Sequence, residues 1–256
     1  MTQKQIEKAN TLRDSGKTKE AIKILTPILK AKDFKVMTNA HIALGICYTN
    51  EKKYERAIEL YKKAITICEK NKWMPRIGGI ARDLAIAYKN AKKFSEAEEW
   101  MLKSLALIKE YYDEGRGMNA SLGIGYSKLG LIYTEAKKYP KAERVFTISQ
   151  KYLKAGNHEY WKLIGAIDYC YYLSARKDYK KAKGILQKVI TEGIRQEKEY
   201  KLIETFILAG DTEMGLGNKD GAKMFYSMAK LSITKIFDSP EVRGKFQSQI
   251  ESRIKS

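Results

Sequence analysis

Tyr48–Ile65 reads YTNEKKYERAIELYKKAI, and its landmarks return twice further on: YKNAKKFSEAEEWMLKSL at Tyr88–Leu105 and YTEAKKYPKAERVFTISQ at Tyr133–Gln150. Aligned on one alanine, the recurrence extends to Ala21, Ala57, Ala97, Ala142, Ala182 and Ala222, separated by 36, 40, 45, 40 and 40 residues. Twelve residues before each alanine stands another small residue: Ala9, Gly45, Ala85, Gly130, Cys170 and Gly210. The polar stretch between them, TNEKKY or TEAKKY, interrupts the helical period of the apolar residues on either side. Each unit is therefore a helix, a tight turn and a second helix. The small residues belong where the two helices cross, because backbones approach to about 8 Å only over a hydrogen, a methyl or a thiol. Aromatics such as Tyr48, Tyr54 and Tyr61, or Tyr133, Tyr139 and Phe146, fill the space around that contact.

The pattern resembles the tetratricopeptide repeat, whose signature is W-x2-LG-x2-Y followed by an Ala, an aromatic and another Ala. The matching residues are His41, Leu44, Gly45 and Tyr48, then Tyr54, Ala57, Tyr61 and Ala64; a second set is Tyr126, Leu129, Gly130 and Tyr133, then Tyr139, Ala142 and Phe146. Two features depart from the family: the repeat is about 40 residues instead of 34, and the terminal proline is missing. In its repeat length it is similar to the long-repeat branch found in kinesin light chains, G-protein-signalling scaffolds and bacterial peptide sensors. The expected fold is all-α, a right-handed α-α superhelix of about six helical hairpins (roughly 2–36, 37–76, 77–120, 121–160, 161–199 and 200–237 within 1–238). A capping helix at 239–256 closes the stack. Ser239 and Pro240 suit the start of that helix, and Val242, Phe246, Ile250 and Ile254 share one face.

Composition bounds the rest. Hydrophobic residues make up 44% and charged residues 31%, enough to bury a core and stay in solution. No apolar run approaches the roughly 18 residues of a membrane span, and the first thirty residues lack the apolar centre of a signal peptide; the expected residence is cytoplasmic. Cys47, Cys68 and Cys170 form no C-x-x-C pair, and His41 and His158 lie in no metal-ligand motif, so neither a disulfide framework nor a metal or other cofactor is expected. There is no P-loop, H-E-x-x-H or G-x-S-x-G. The glycines Gly210, Gly215, Gly217 and Gly221 follow no strand and take repeat positions. A non-catalytic protein is expected.

What the resemblance implies about function concerns surface. In tetratricopeptide proteins the first helix of each repeat lines the concave side, through residues three before and one after the small position. Here the first row is Ile6, Ile42, Arg82, Ser127, Ile167 and Ile207, and the second is Asn10, Ile46, Ile86, Leu131, Tyr171 and Asp211. With Asn50, Lys89, Asn90 and Thr134 at the rim, this reads as an apolar strip for a peptide or amphipathic helix of another protein. The expected contacts are Asn10, Ile42, Ile46, Asn50, Arg82, Ile86, Lys89, Asn90, Leu131 and Tyr171. The alternative is that these Ile and Leu side chains pack between repeats. The Lys/Asn/Arg clamp of relatives that hold acidic chaperone tails is not matched, since Ile6, Ala43, Gly79 and Asp83 stand there and only Asn10 remains.

Lys plus Arg total 49 against 30 acids, a formal charge of +19, which raises a nucleic-acid reading. The excess is spread along the chain. Its most ordered element is Lys52-Lys53, Lys92-Lys93, Lys137-Lys138 and Lys177, all in the turn within a repeat, where stacking makes a ridge for RNA or another polyanion, or simply a solvated edge. A third reading is a regulator that senses a signalling peptide. The partner and the oligomeric state are not written in the sequence.

Overall fold

The computed structural model describes residues 2–195, 199–237 and 240–255; the side chains of 199–201, 241, 242, 245 and 255 are also outside the description. All regular structure among the described residues is helical. The elements are α1 (Gln3–Asp14), α2 (Thr18–Ile28), α3 (Phe34–Asn50), α4 (Tyr54–Lys70), α5 (Met74–Asn90), α6 (Phe94–Tyr111), α7 (Arg116–Glu135), α8 (Tyr139–Gly156), α9 (Glu159–Ala175), α10 (Tyr179–Arg195), α11 (Glu199–Gly215), α12 (Lys219–Ile236) and α13 (Pro240–Lys255). Six hairpins, α1/α2 to α11/α12, stack into a solenoid: each second helix packs on its own first helix and on the next one, and first helices of neighbouring repeats touch side by side. The boundaries drawn from sequence fall just inside α3, α5, α7, α9 and α11. The start of α3 is set by a local cap that the alanine register does not contain: the Asp33 carboxylate accepts from the Lys35 and Val36 amides at 2.7 and 3.1 Å.

The small residues work by size complementarity. A Cβ added to Gly45 would lie 2.7 Å from the Tyr61 ring, one on Gly130 2.6 Å from Phe146, and one on Gly210 2.4 Å from Tyr226. All three aromatics stand four residues after the aligned alanine. Where the first helix carries Ala9, Ala85 or Cys170 instead, that place holds Leu25, Met101 or Leu186, all fully buried. Glycine thus meets a ring, and alanine or cysteine meets an aliphatic chain, so every crossing is filled to a similar depth.

The turns repeat as closely. Gly16, Lys52, Lys92, Lys137, Lys177 and Gly217, each five residues before the aligned alanine, all have left-handed backbone, with φ between 58° and 85°. In repeat 2 the Lys53 amide donates to the Tyr48 carbonyl at 2.8 Å and the Lys52 amide to Thr49 at 3.0 Å. This pair of bonds satisfies carbonyls that the end of a helix would otherwise leave open. Glycine holds the position in the first and last repeats and lysine in the four between, where each lysine carries the steric cost of the left-handed region.

At the end of the stack, Ile250 of α13 is fully buried and Phe246 stacks on Phe237 with ring centroids 5.5 Å apart. Ile254, expected on the same packed face, is exposed, although its neighbour Arg253 still pairs with Asp211 of α11. Ser239 lies outside the described residues, as do the side chains of Glu241 and Val242. The three thiols are buried, and burial raises the pKa of Cys47 to about 11 and that of Cys170 to about 12. They behave as small apolar groups.

Candidate functional site

The first helices of repeats 2 to 5, α3, α5, α7 and α9, are packed on three sides: by their own second helix, by the previous repeat and by the next. Only a narrow arc of each remains open. Taking the small residue as the reference, positions one after and five after it, and in several repeats two before and six before, reach solvent. The row three before does not, except at Arg82, which is half-buried. Ile6, Ser127, Ile167 and Ile207 are buried, and so is Ile42 at 7% exposure, packed in the core with Ala57 and Tyr61. Ile42 therefore leaves the set of candidate contacts. Its position lies about 60° round the helix from the crossing, where the flanking first helix covers it.

The row one after the small residue stays half open. Ile46 on α3, Ile86 on α5 and Leu131 on α7 are half-buried against the core, and Tyr171 on α9 is 39% exposed. Arg82 and Asn90 are half-buried beside them and Asn50 is exposed. Two candidates are already engaged. Asn10 accepts from Arg13 Nη1 at 2.8 Å. Lys89 Nζ bonds Glu135 Oε1 at 2.5 Å and so ties repeat 3 to repeat 4.

Further polar groups, most of them outside the expected contacts, lie on the same side. Asp168, only 5% exposed, accepts from Ser127 Oγ at 2.8 Å and from Lys128 Nζ at 2.8 and 2.9 Å. This fastens α9 to α7 between Leu131 and Tyr171. Asp83 lies beside Arg82 and Arg76; its burial outweighs those cations and raises its pKa. Around Tyr171, burial first and then the carboxylates of Glu204, Asp168 and Asp211 push the phenol pKa up. Asp211 is itself paired with Arg253 of α13 at 3.1 Å and accepts from Tyr226. The inner side thus runs from amide groups in repeat 1, through an aliphatic middle, to an aromatic and acidic end. The one signal available beforehand was the shared register of Asp83 and Asp168, two residues before the small position.

The ridge lysines are placed in consecutive turns, but glutamates answer several of them. Lys53 pairs with Glu51 at 2.6 Å, Lys92 with Glu135 at 2.6 Å, Lys93 with Glu55 at 2.7 Å and Lys138 with Glu98 at 3.1 Å. Lys52, Lys137 and Lys177 are exposed and make no ion pair among the described residues. A void of about 10 Å³ among α10, α11 and α12, lined by Leu186, Ile190, Ala209 and Phe225, has room for no more than a water. No helix among the described residues is long and apolar enough to cross a membrane.

Family models described as tetratricopeptide repeat match residues 38–71 and 79–114, which are the α3/α4 and α5/α6 hairpins. The chain carries tetratricopeptide repeats. Its other four hairpins share their helix–turn–helix unit and small-residue crossing. No curated protein sequence matches it. Among solved structures it is similar to a Rap protein complexed with Competence and Sporulation Factor, at 15% identity over 90% of this chain and 68% of that one, with a TM-score of 0.72. It is similar also to BtubC from P. vanneervenii (16% identity, 87% and 91% covered, TM-score 0.59) and to a tetratricopeptide repeat protein from Parabacteroides merdae (15%, 96% and 83%, 0.65). At such identities the likeness is one of fold.

Proposed function

We propose that this tetratricopeptide repeat protein is a non-catalytic cytoplasmic adaptor that holds a peptide or amphipathic helix of another protein along its inner side. The observation that carries this reading is the row Ile46, Ile86, Leu131 and Tyr171, apolar and aromatic side chains that four successive first helices leave part-open to water. A groove of aliphatic and aromatic side chains with amide and charged groups at its rim recognises apolar anchors while offering partners to a backbone. Asn50, Arg82 and Asn90 are the rim groups that remain available in addition to that row. A signalling peptide is one form of such an occupant, and the likeness to a Rap protein solved with Competence and Sporulation Factor supports considering it. The polyanion reading is weaker, because Lys53, Lys92, Lys93 and Lys138 are paired to glutamates.

The test is selection from a displayed peptide library on the wild-type chain, repeated on Ile46→Asp and Ile86→Asp. Selected peptides that bind the parent and are lost from both folded variants support the groove. Peptides that bind all three proteins equally contradict it.

A further inference from the structure

Helix α12 departs from the other second helices on its outer side. Its inner face is buried through Ala222, Tyr226, Ala229 and Ile233, so Met224, Met228 and Leu231 fall opposite at 100° per residue. The corresponding outer positions hold Glu59, Lys63 and Thr66 in α4, and Glu99, Lys103 and Ala106 in α6. In α12 they are apolar: Met224 is 53% and Leu231 73% exposed, both left uncovered by α13, while Met228 between them is half-buried against the core. On neighbouring α10, Ile194 is 55% exposed. The surroundings are basic: α10 and α12 together carry nine Lys and Arg against two acids of their own, Glu192 and Asp220, and two of the flanking helices, Glu213 and Glu251, which pair with Lys183 and Lys230.

We propose that this outer face docks on an anionic membrane surface. Met224, Leu231 and Ile194 enter the headgroup boundary, and lysines such as Lys188 and Lys223 meet the lipid phosphates. Charge argues against a second copy of this chain, since a like-with-like contact through α12 would set lysines against lysines. Nucleic acid would answer the charge but leave the aliphatic side chains in water. A rigid protein would need a separate pocket for each side chain protruding from different helices, whereas a fluid bilayer conforms to them. The proposal is independent of the groove, which lies on first helices.

The experiment is co-sedimentation of the full chain with vesicles of phosphatidylcholine alone and of phosphatidylcholine with about 30 mol % phosphatidylglycerol, in about 0.15 M salt. The wild type is expected to partition about tenfold more onto the anionic vesicles, and the double variant Met224→Ser/Leu231→Ser, unchanged in charge, to lose about tenfold. Ile86→Asp should bind vesicles as the parent does. Failure to bind anionic vesicles overturns the proposal. So does equal binding of the double variant, which would mean adsorption by charge alone. A concentration-dependent dimer that Leu231→Ser abolishes, in a protein that ignores vesicles, would give the stripe to a second copy instead.

Discussion

Substituting Gly130 by alanine sets two known effects against each other. The position is inside α7, where alanine is favoured over glycine by about 1 kcal/mol on propensity. The added methyl, however, would stand 2.6 Å from Phe146 Cε2 and Cζ and 2.8 Å from Cε1, in a crossing where Phe146 is fully buried. A ring cannot bend aside as a flexible chain end would, so α7 and α8 must separate, and overpacking of this kind costs about 1–3 kcal/mol. The net expectation is a loss of up to about 2 kcal/mol after the propensity gain. Phe146→Leu alone leaves a void and also destabilises. Together the two changes recreate the aliphatic-on-alanine crossing that Ala85 with Met101 and Ala9 with Leu25 already use. The double variant should therefore be more stable than the sum of the single effects predicts, with a coupling of about 1–2 kcal/mol. Urea unfolding of the four proteins, followed by circular dichroism, measures this cycle. If Gly130→Ala is more stable than the parent, or the two effects simply add, the size-complementary crossing is not what the recurrence encodes.

Three further outcomes follow from the same geometry. Lys52→Gly should raise stability by about 0.5–1 kcal/mol, the relief of left-handed strain exceeding the entropy that glycine adds to the unfolded chain, while Lys52→Ala should not; a glycine variant with a lower urea midpoint would contradict the turn geometry. Asp168→Ala should cost about 1–3 kcal/mol by stranding Ser127 and Lys128 between repeats 4 and 5, read as faster hydrogen exchange in α7 and α9; unchanged exchange would show that the bonds contribute nothing. Acid should weaken the fold in two stages. Burial lowers the pKa of His41 from 6.5, so the unfolded chain binds the proton more readily and stability falls as the pH drops below about 6.5. At Glu98 and Glu135 burial acts upward, but Tyr133 and Lys138 at the first and Lys89 and Lys92 at the second outweigh it and hold both below 4.5. Their contribution is present above about pH 4.5 and lost as the pH falls through their folded values. Urea midpoints across pH should show both stages, and His41→Gln should remove the upper one alone.

The fold was legible because its code is local and repeated. An alanine and a small residue twelve positions apart, with a polar turn between, specify a hairpin without reference to the rest of the chain, and the second helices advertise themselves by a clear apolar stripe. The first helices do not. In α3, residues from Thr38 to Cys47 are apolar or buried on nearly every side, so periodicity cannot tell the side that meets a neighbouring repeat from the side that meets water. That is why Ile42 read as surface and packs as core, while Ile46, four residues on, keeps its opening. Repeat boundaries fell a few residues inside the first helices because the N-caps of α5, α7 and α9, Trp73, Gly115 and His158, make no side-chain cap bond to mark the start. The ties at the groove floor, Lys128 to Asp168 and Lys89 to Glu135, join residues 40 and 46 positions apart. Such distances are fixed by stacking and leave no trace in local pattern.

The central claim is that the half-open row on the first helices is where another protein lies. Site-specific photocrosslinking tests it most directly: a benzophenone amino acid is placed at Ile46 or Ile86 on the inner side and at Lys63 on the outer side, and the full chain is irradiated in its own cells. The account predicts a discrete protein or peptide adduct from positions 46 and 86, absent at 63. Adducts of equal yield from all three positions, or none from the inner pair in a folded protein, would contradict it.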